Sequence, residues 1–209
     1  MDWIPRVSAY VDRVVANLET ITPTRRQLLS GVAEYISARI SSGDNARLVF
    51  ICTHNSRRSQ MGEVFCRIAA TYFQLPSIET ASGGNEVTAC HPHTLAAFER
   101  AGMQVNYGNA STNPMHEICF AHSEPVIRAY SKRFETVGTP DSPFAAMMCC
   151  DQADQNCPII AGAEARFALQ YSDPKVADGT DREPEVYDER CLEIATEMFA
   201  VGSLLASKP

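Results

Sequence analysis

The sequence lacks any apolar run near the roughly 20 residues that a membrane-spanning helix requires. Its longest apolar stretches, such as Phe144 to Cys150, have the length of a strand. The N-terminal residues MDWIPRVSAYVDRVV lack the basic start and apolar block of a secretory signal, so we expect a cytoplasmic protein outside membranes. A basic excess is also lacking, since 18 Lys and Arg stand against 25 Asp and Glu, a formal net charge of −7. This balance argues against nucleic-acid binding, which requires a basic surface.

The sequence has no internal repeat, and its composition is that of a globular protein, with 45% hydrophobic and 21% charged residues in 209. It has eight cysteines, but disulfide frameworks belong to small secreted domains, and this chain is large enough to bury its own core. In a reducing compartment, the cysteines are left with three roles: buried filler, metal ligation or thiol chemistry. Their spacing must decide among these.

The order of predicted elements indicates an α/β fold around a mostly parallel sheet. Residues 1–45 predict two amphipathic helices, which we interpret as an N-terminal extension outside a catalytic domain of residues 46–209. Thr22 and Pro23 predict the start of the second helix. Residues Glu117–His122 and Val126–Tyr130 predict an inserted β-hairpin. The other predicted strands are 48–51, 78–81, 144–148 and 167–171, and the other predicted helices are 57–73, 93–101 and 186–205.

The strongest chemical signal is a Cys-x5-Arg-Ser motif, Cys52 to Ser59, between a predicted strand and a predicted helix. A loop that enters a helix N-terminus points several N–H groups at one place, where a tetrahedral oxyanion fits. Arg58 can bind two of the oxyanion's oxygens with its planar guanidinium. The same field stabilises a thiolate at Cys52, and Ser59 can donate a hydrogen bond to that sulfur. The alternative is a buried structural cysteine before an ordinary helix.

The segment ICTHNSRRSQM resembles the phosphate loop of low-molecular-weight protein tyrosine phosphatases and of the thioredoxin-coupled arsenate reductases that share their fold. The resemblance covers residues 46–205 except the inserted hairpin, and it implies a three-layer sandwich of the phosphatase type. It departs from the common pattern at His54, where a small residue is frequent, and at Arg57, where several reductases have a cysteine. The loop residues assigned to oxyanion binding are Thr53, His54, Asn55, Ser56, Arg57 and Arg58.

A second motif separates the two branches of the family. Cys150 and Cys157, in the segment CDQADQNCP, resemble the redox pair of the arsenate reductases, which pass electrons through two further thiols. The match on Asn156-Cys157-Pro158 makes Cys150 the resolving cysteine and Cys157 the final one. Cys149 is a complication, because neighbouring residues of a strand face opposite sides. The alternatives are buried filler, or zinc held by these cysteines and a histidine, although the spacing fits no paired ligand set.

Weaker matches complete the predicted site. Asp173, in Asp-Pro, matches the general acid that protonates the leaving oxygen in the family. Asn55, Glu63 and Ser82 fall where some reductases bind a potassium ion, which is the one cofactor that the resemblance suggests. His91 and His93 flank a proline, and we interpret two histidines placed across a proline as a poor metal site, so no metal site is predicted.

These observations predict a thiol-dependent arsenate reductase that uses a thioredoxin-like reductant. The main alternative is a phosphatase in which water hydrolyses a phosphocysteine, with Cys150 and Cys157 idle. A third hypothesis is a redox-sensing or phosphate-binding module without turnover.

Overall fold

The computed structural model describes residues 2–138, 142–151, 153 and 160–207. The strands of the central sheet in this part of the chain are β1 (Ala46–Cys52), β2 (Ile78–Gly84), β6 (Phe144–Met148) and β7 (Ala163–Ala168). These four strands are parallel and lie in the order β2-β1-β6-β7, which confirms the predicted fold class. The α-helices are α1 (Pro5–Ala16), α2 (Pro23–Ser41), α3 (Arg58–Tyr72), α4 (Pro92–Arg100) and α5 (Glu183–Ala206).

The predicted inserted hairpin is present and is part of a larger unit. Strands β4 (His116–Cys119) and β5 (Ile127–Ala129) pair antiparallel, and β3 (Gln104–Asn106) adds a third strand beside β4. The sequence pattern missed β3, because a strand of three residues is too short for alternation to show. The last strand of the main sheet, predicted at 167–171, begins four residues earlier, at Ala163, and ends three residues earlier, at Ala168. It ends before Gln170, whose φ of 47° is left-handed.

The two N-terminal helices are buried against the rest of the chain. Val7, Val11 and Val14 of α1 and Leu29 and Ile36 of α2 belong to the same hydrophobic core as the sheet. Each helix begins with a proline, and Thr22 caps α2 by accepting a hydrogen bond from the amide of Arg25 at 3.3 Å. The helices therefore share the hydrophobic core of the sheet and contribute to its stability.

Helix α3 holds the site at the carboxyl end of β1. Its Gly62 lies so close to Phe50 of β1 that a Cβ at this position would come within 2.3 Å of the ring. This close contact presses the start of α3 against the strand that carries Cys52. Among the described residues, no helix is both long and apolar enough to cross a bilayer.

Candidate active site

The loop between β1 and α3 forms one wall of a cavity of about 480 Å³. The cavity is lined by all but one of the residues predicted to bind the oxyanion, and by residues of the loop that carries Asp173. Its lining residues are Cys52, Thr53, His54, Ser56, Arg57, Arg58, Asp173, Lys175 and Val176. The missing residue, Asn55, is fully buried beneath the loop.

Asn55 holds the loop through its left-handed backbone and its side-chain amide. Its φ is 47°, a conformation that asparagine tolerates better than most residues. Its Nδ2 donates to Oγ of Ser59 and to Oγ of Ser82, each at 2.9 Å, and its Oδ1 accepts from the amide of Lys132 at 3.0 Å. The backbone of Gly84 approaches so closely that a Cβ there would lie 2.6 Å from the amide nitrogen of Asn55.

Ser59 is positioned to donate a hydrogen bond to the sulfur of the predicted nucleophile. Its Oγ lies 3.0 Å from Sγ of Cys52, and the same oxygen accepts from Asn55. Because Asn55 occupies an acceptor position of the hydroxyl, the hydroxyl hydrogen is free to point at the sulfur. The structure thus brings the two side chains within hydrogen-bond distance, and the roles predicted for them stay predictions.

The two arginines of the loop have different partners. Arg58 donates to the carbonyl of Tyr171 at 2.9 Å and to Oδ2 of Asp173 at 2.5 Å. Arg57 instead donates to the hydroxyl of Tyr187 at 2.6 Å and to Oδ2 of Asp178 at 2.8 Å. Arg58 is thus paired with the predicted general acid, Asp173. Arg57 instead connects the loop between β1 and α3 to Asp178 and to Tyr187 of α5.

Sequence reasoning missed the residues that support Arg57. Burial by itself would raise the pKa of Asp178, but the hydrogen bond from Tyr187 and the charge of Arg57 lower it below its ordinary value. Tyr187 lies on α5, 130 positions after Arg57. No local pattern could have revealed this pairing.

Cys150 lies next to the phosphate loop. Its Sγ is 3.7 Å from Oγ1 of Thr53, and it accepts a hydrogen bond from the amide of Ala153 at 3.4 Å. A smaller cavity of about 290 Å³ is lined by Cys150 together with Arg58 and Asp173, which also line the larger one. Cys157 lies outside the described residues, so its predicted role stays a prediction.

Cys149 and Cys150 face different surroundings. Ile51 of β1 pairs with Met148, and the amide of Cys149 donates to the carbonyl of Ile51 at 2.8 Å, which places Cys149 beside Cys52 across the two strands. Its thiol points back to the carbonyl of Met147 at 3.4 Å. Burial raises the pKa of the Cys149 thiol well above its ordinary value, and the neighbouring Cys52 and Cys150 raise it further. The geometry therefore disfavours Cys149 as an attacking thiolate.

The residues predicted to bind potassium are in contact with a lysine. Glu63 accepts a hydrogen bond from Ser82 at 2.5 Å, and Ser82 accepts one from Asn55. Nζ of Lys132 lies 3.4 Å from Oγ of Ser82 and 3.7 Å from Oε2 of Glu63. The ammonium group supplies a positive charge at the same oxygens that are predicted to bind potassium. The potassium site stays a prediction, and a potassium ion there would compete with the ammonium group of Lys132 for the oxygens of Glu63 and Ser82.

Two of the cysteines without an assigned role, Cys66 and Cys90, are buried. Burial raises the pKa of Cys66 and of Cys90 to about 12, which lowers their thiolate fraction at neutral pH roughly 10³-fold relative to a free cysteine. We expect native protein treated with iodoacetamide at neutral pH to leave both unlabelled while denatured protein is fully labelled, as measured by peptide mass mapping. Equal labelling rates in the native and denatured protein would contradict the burial of these two thiols.

Comparison with known proteins finds sequence relatives among the arsenate reductases. No family model matches the chain. Arsenate reductase 1 of Staphylococcus epidermidis is 26% identical over 153 residues, which are 73% of this chain and 94% of that protein. The arsenate reductase of Shouchella clausii is 25% identical over 136 residues, covering 65% of this chain and 79% of the relative.

Solved structures share the fold at lower identity. A YwlE mutant from Bacillus subtilis superposes with a TM-score of 0.54 at 17% identity, covering 77% of this chain and 99% of that one. A low-molecular-weight protein tyrosine phosphatase from T. tengcongensis gives a TM-score of 0.53 at 17% identity, with coverage of 77% and 100%. The fold is that of the low-molecular-weight phosphatases, and the sequence relatives are arsenate reductases.

Proposed function

We propose that this chain, an enzyme of the low-molecular-weight phosphatase and arsenate reductase family, reduces arsenate to arsenite through a relay of three cysteines. The observation that carries the proposal is the position of Cys150. Its sulfur lies 3.7 Å from the hydroxyl of Thr53, directly after the nucleophile, and shares a cavity with Arg58 and Asp173. A phosphatase needs no thiol there.

The first step uses the phosphate loop. Arsenate binds to the loop amides at the N-terminus of α3, and Arg58 exchanges its contact with Asp173 for the oxyanion. The Cys52 thiolate attacks arsenic, an As–O bond breaks, and Asp173 protonates the departing oxygen, which leaves as water. Ser59 holds the sulfur as an anion before the attack. The product is a Cys52–S–As(V) adduct.

The second step moves two electrons to arsenic. The Cys150 thiolate attacks Sγ of Cys52, the S–As bond breaks, and its electron pair stays on arsenic, which leaves as arsenite. A disulfide between Cys52 and Cys150 remains. Cys157 then attacks Sγ of Cys150 and releases the Cys52 thiolate, and the dithiol of a thioredoxin-like protein reduces the Cys150–Cys157 disulfide.

The alternative function, hydrolysis of a phosphate monoester, uses the same first step. Cys52, Arg58 and Asp173 are arranged identically for both reactions, and water would then attack the phosphocysteine. The observation in favour of this alternative is the fold itself, which the chain shares with phosphatases. The fate of the adduct on Cys52 therefore distinguishes the two functions.

The test is arsenate-dependent oxidation of NADPH in the presence of thioredoxin and thioredoxin reductase. We expect turnover with the wild-type protein and none above background with Cys150→Ser or Cys157→Ser. Hydrolysis of an aryl phosphate, measured on the same preparations, should survive both substitutions, because it needs only the first step and water.

Cys149→Ser is the matched control, since Cys149 is adjacent to Cys150 and buried like it. We expect this variant to keep arsenate turnover within a few fold of the wild type. Arsenate turnover that survives Cys150→Ser but not Cys149→Ser would transfer the resolving role to Cys149. Absence of arsenate turnover alongside aryl phosphate hydrolysis would refute the reductase and leave the phosphatase, and absence of both would leave a binding or sensing module.

A further inference from the structure

A cluster of two histidines and two carboxylates lies beside the phosphate loop. His91 and His93 stand at the start of α4, Asp178 follows the 3-10 turn Pro174–Ala177, and Glu183 begins α5. Donor atoms of His91, His93 and Asp178 all lie within 4.8 Å of one another. We propose that these residues form a binding site for a divalent transition-metal ion such as zinc. The sequence did not reveal this site, because the carboxylates are about 85 or more positions from the histidines.

The spacing of the donor atoms suits a tetrahedral ion. Four ligands at about 2.0–2.1 Å from zinc stand about 3.3 Å apart. Nε2 of His91 lies 3.8 Å from Oδ2 of Asp178, and Nδ1 of His93 lies 3.8 Å from Oδ1 of Asp178. Nδ1 of His93 is also 3.1 Å from Oε1 of Glu183. His91, His93 and Asp178 are therefore within about half an ångström of coordination distances in these pairs, and Glu183, which is near His93 alone, is the fourth ligand only after its side chain moves.

Nδ1 of His93 is a buried ring nitrogen that makes no hydrogen bond to any residue that the structure describes. It faces two carboxylates, with Oε1 of Glu183 at 3.1 Å and Oδ1 of Asp178 at 3.8 Å. A buried nitrogen of this kind is stabilised when a cation lies between it and the carboxylates.

The surroundings of the cluster supply the supporting contacts that metal ligands require. The hydroxyl of Tyr187 donates to Oδ1 of Asp178 at 2.7 Å and lies 3.5 Å from Nδ1 of His91. Nδ1 of His91 also accepts a hydrogen bond from the backbone amide of His93 at 3.3 Å. Coordination of the ion through Nε2 gives up this contact and moves the ring proton to Nδ1, where the hydroxyl of Tyr187 can accept it. The carboxylates of Asp178 and Glu183 bring two negative charges against the single positive charge of Arg57. The balance favours a divalent cation.

An ion in this position connects the catalytic elements. Asp178 accepts a hydrogen bond from Arg57. It is also the C-terminal cap of the 3-10 turn Pro174–Ala177, whose N-terminal cap is Asp173. Binding of the ion would join α4 and α5 to the loop that carries the general acid. We therefore expect occupancy to stabilise the protein against heat, and this readout does not depend on activity.

The test is titration of the tag-free, reduced full-length protein with Co²⁺ after treatment with a chelator. We expect one Co²⁺ per chain, visible ligand-field bands without a thiolate charge-transfer band, displacement by Zn²⁺, and a raised melting temperature with Zn²⁺. In His93→Ala the affinity should fall about 100-fold or more, because even loss of a residue that supports a metal ligand commonly costs 10- to 100-fold.

His122→Ala is the control, because His122 is exposed at the end of the antiparallel sheet. It should bind Co²⁺ like the wild type. Modification of histidines with diethylpyrocarbonate, mapped by mass spectrometry on the wild type, should show protection of His91 and His93 by Zn²⁺. Equal binding by His93→Ala and His122→Ala, a thiolate band, or binding without this protection would each overturn the proposal.

Discussion

Asp173→Asn should lower the rate of the first chemical step about 10²- to 10⁴-fold, the usual contribution of a general acid. Asparagine keeps the size of the side chain and its capping role, since Oδ1 of Asp173 accepts from the amide of Lys175 at 3.1 Å. The fold should therefore survive, while the proton and the charge that is paired with Arg58 are both lost. The measurement is kcat for phenyl phosphate and for a dinitrophenyl phosphate, compared between the wild type and the variant.

The leaving group separates a catalytic role from a structural one. Dinitrophenolate leaves readily without a proton, so its ester should lose much less rate than phenyl phosphate. Asp181→Asn is the control, because Asp181 is an exposed carboxylate that follows Asp173 by eight residues and does not line the cavity. Equal losses for the two esters would show that Asp173 does not donate the proton.

Lys132→Met should lower the free energy of unfolding by about 3–5 kcal/mol, the usual effect of removing one partner of a buried ion pair. Lys132 is 9% exposed, and its ammonium also lies 4.7 Å from the centre of the Tyr130 ring. Burial raises the pKa of Glu63, and Lys132 is the largest opposing influence. Denaturant unfolding of the wild type and the variant measures the effect.

The loss in Lys132→Met should depend on pH and on its partner. An acid whose pKa is raised on folding stabilises the folded protein below its unfolded pKa, and this stabilisation is lost as the pH rises through the folded pKa. The variant, in which Glu63 has lost its main counter-charge, should therefore become less stable from acidic to neutral pH. Adding Glu63→Gln to Lys132→Met should restore much of the stability at neutral pH.

Potassium provides a further comparison on the same variant. If Lys132 occupies the place of the predicted ion, potassium should stabilise Lys132→Met more than sodium does, and should leave the wild type unchanged. Equal stability of Lys132→Met and the wild type would show that the pair contributes nothing. Stabilisation of the wild type by potassium would favour the ion site predicted from the sequence.

Local signals were sufficient for most of the fold. Strand β1 and the start of α3 were predictable because a buried parallel strand is a continuous apolar run and the loop between it and the helix has its own motif. Helix α2 was predictable from Thr22 and Pro23, since capping depends on adjacent residues. Strand β3 was missed, because three residues carry too little periodicity to distinguish them from a loop.

By itself, the sequence predicted a nucleophile, its arginine and its hydroxyl partner and determined that they lie together, since Cys52, Arg58 and Ser59 fall within eight consecutive residues of a strand–loop–helix unit. Only the tertiary structure decided that Lys132 reaches Glu63, that Arg57 turns to Tyr187, and that His91 and His93 meet Asp178. Each of these contacts joins elements far apart along the chain, and charges and hydrogen bonds act through space, so their partners depend on packing.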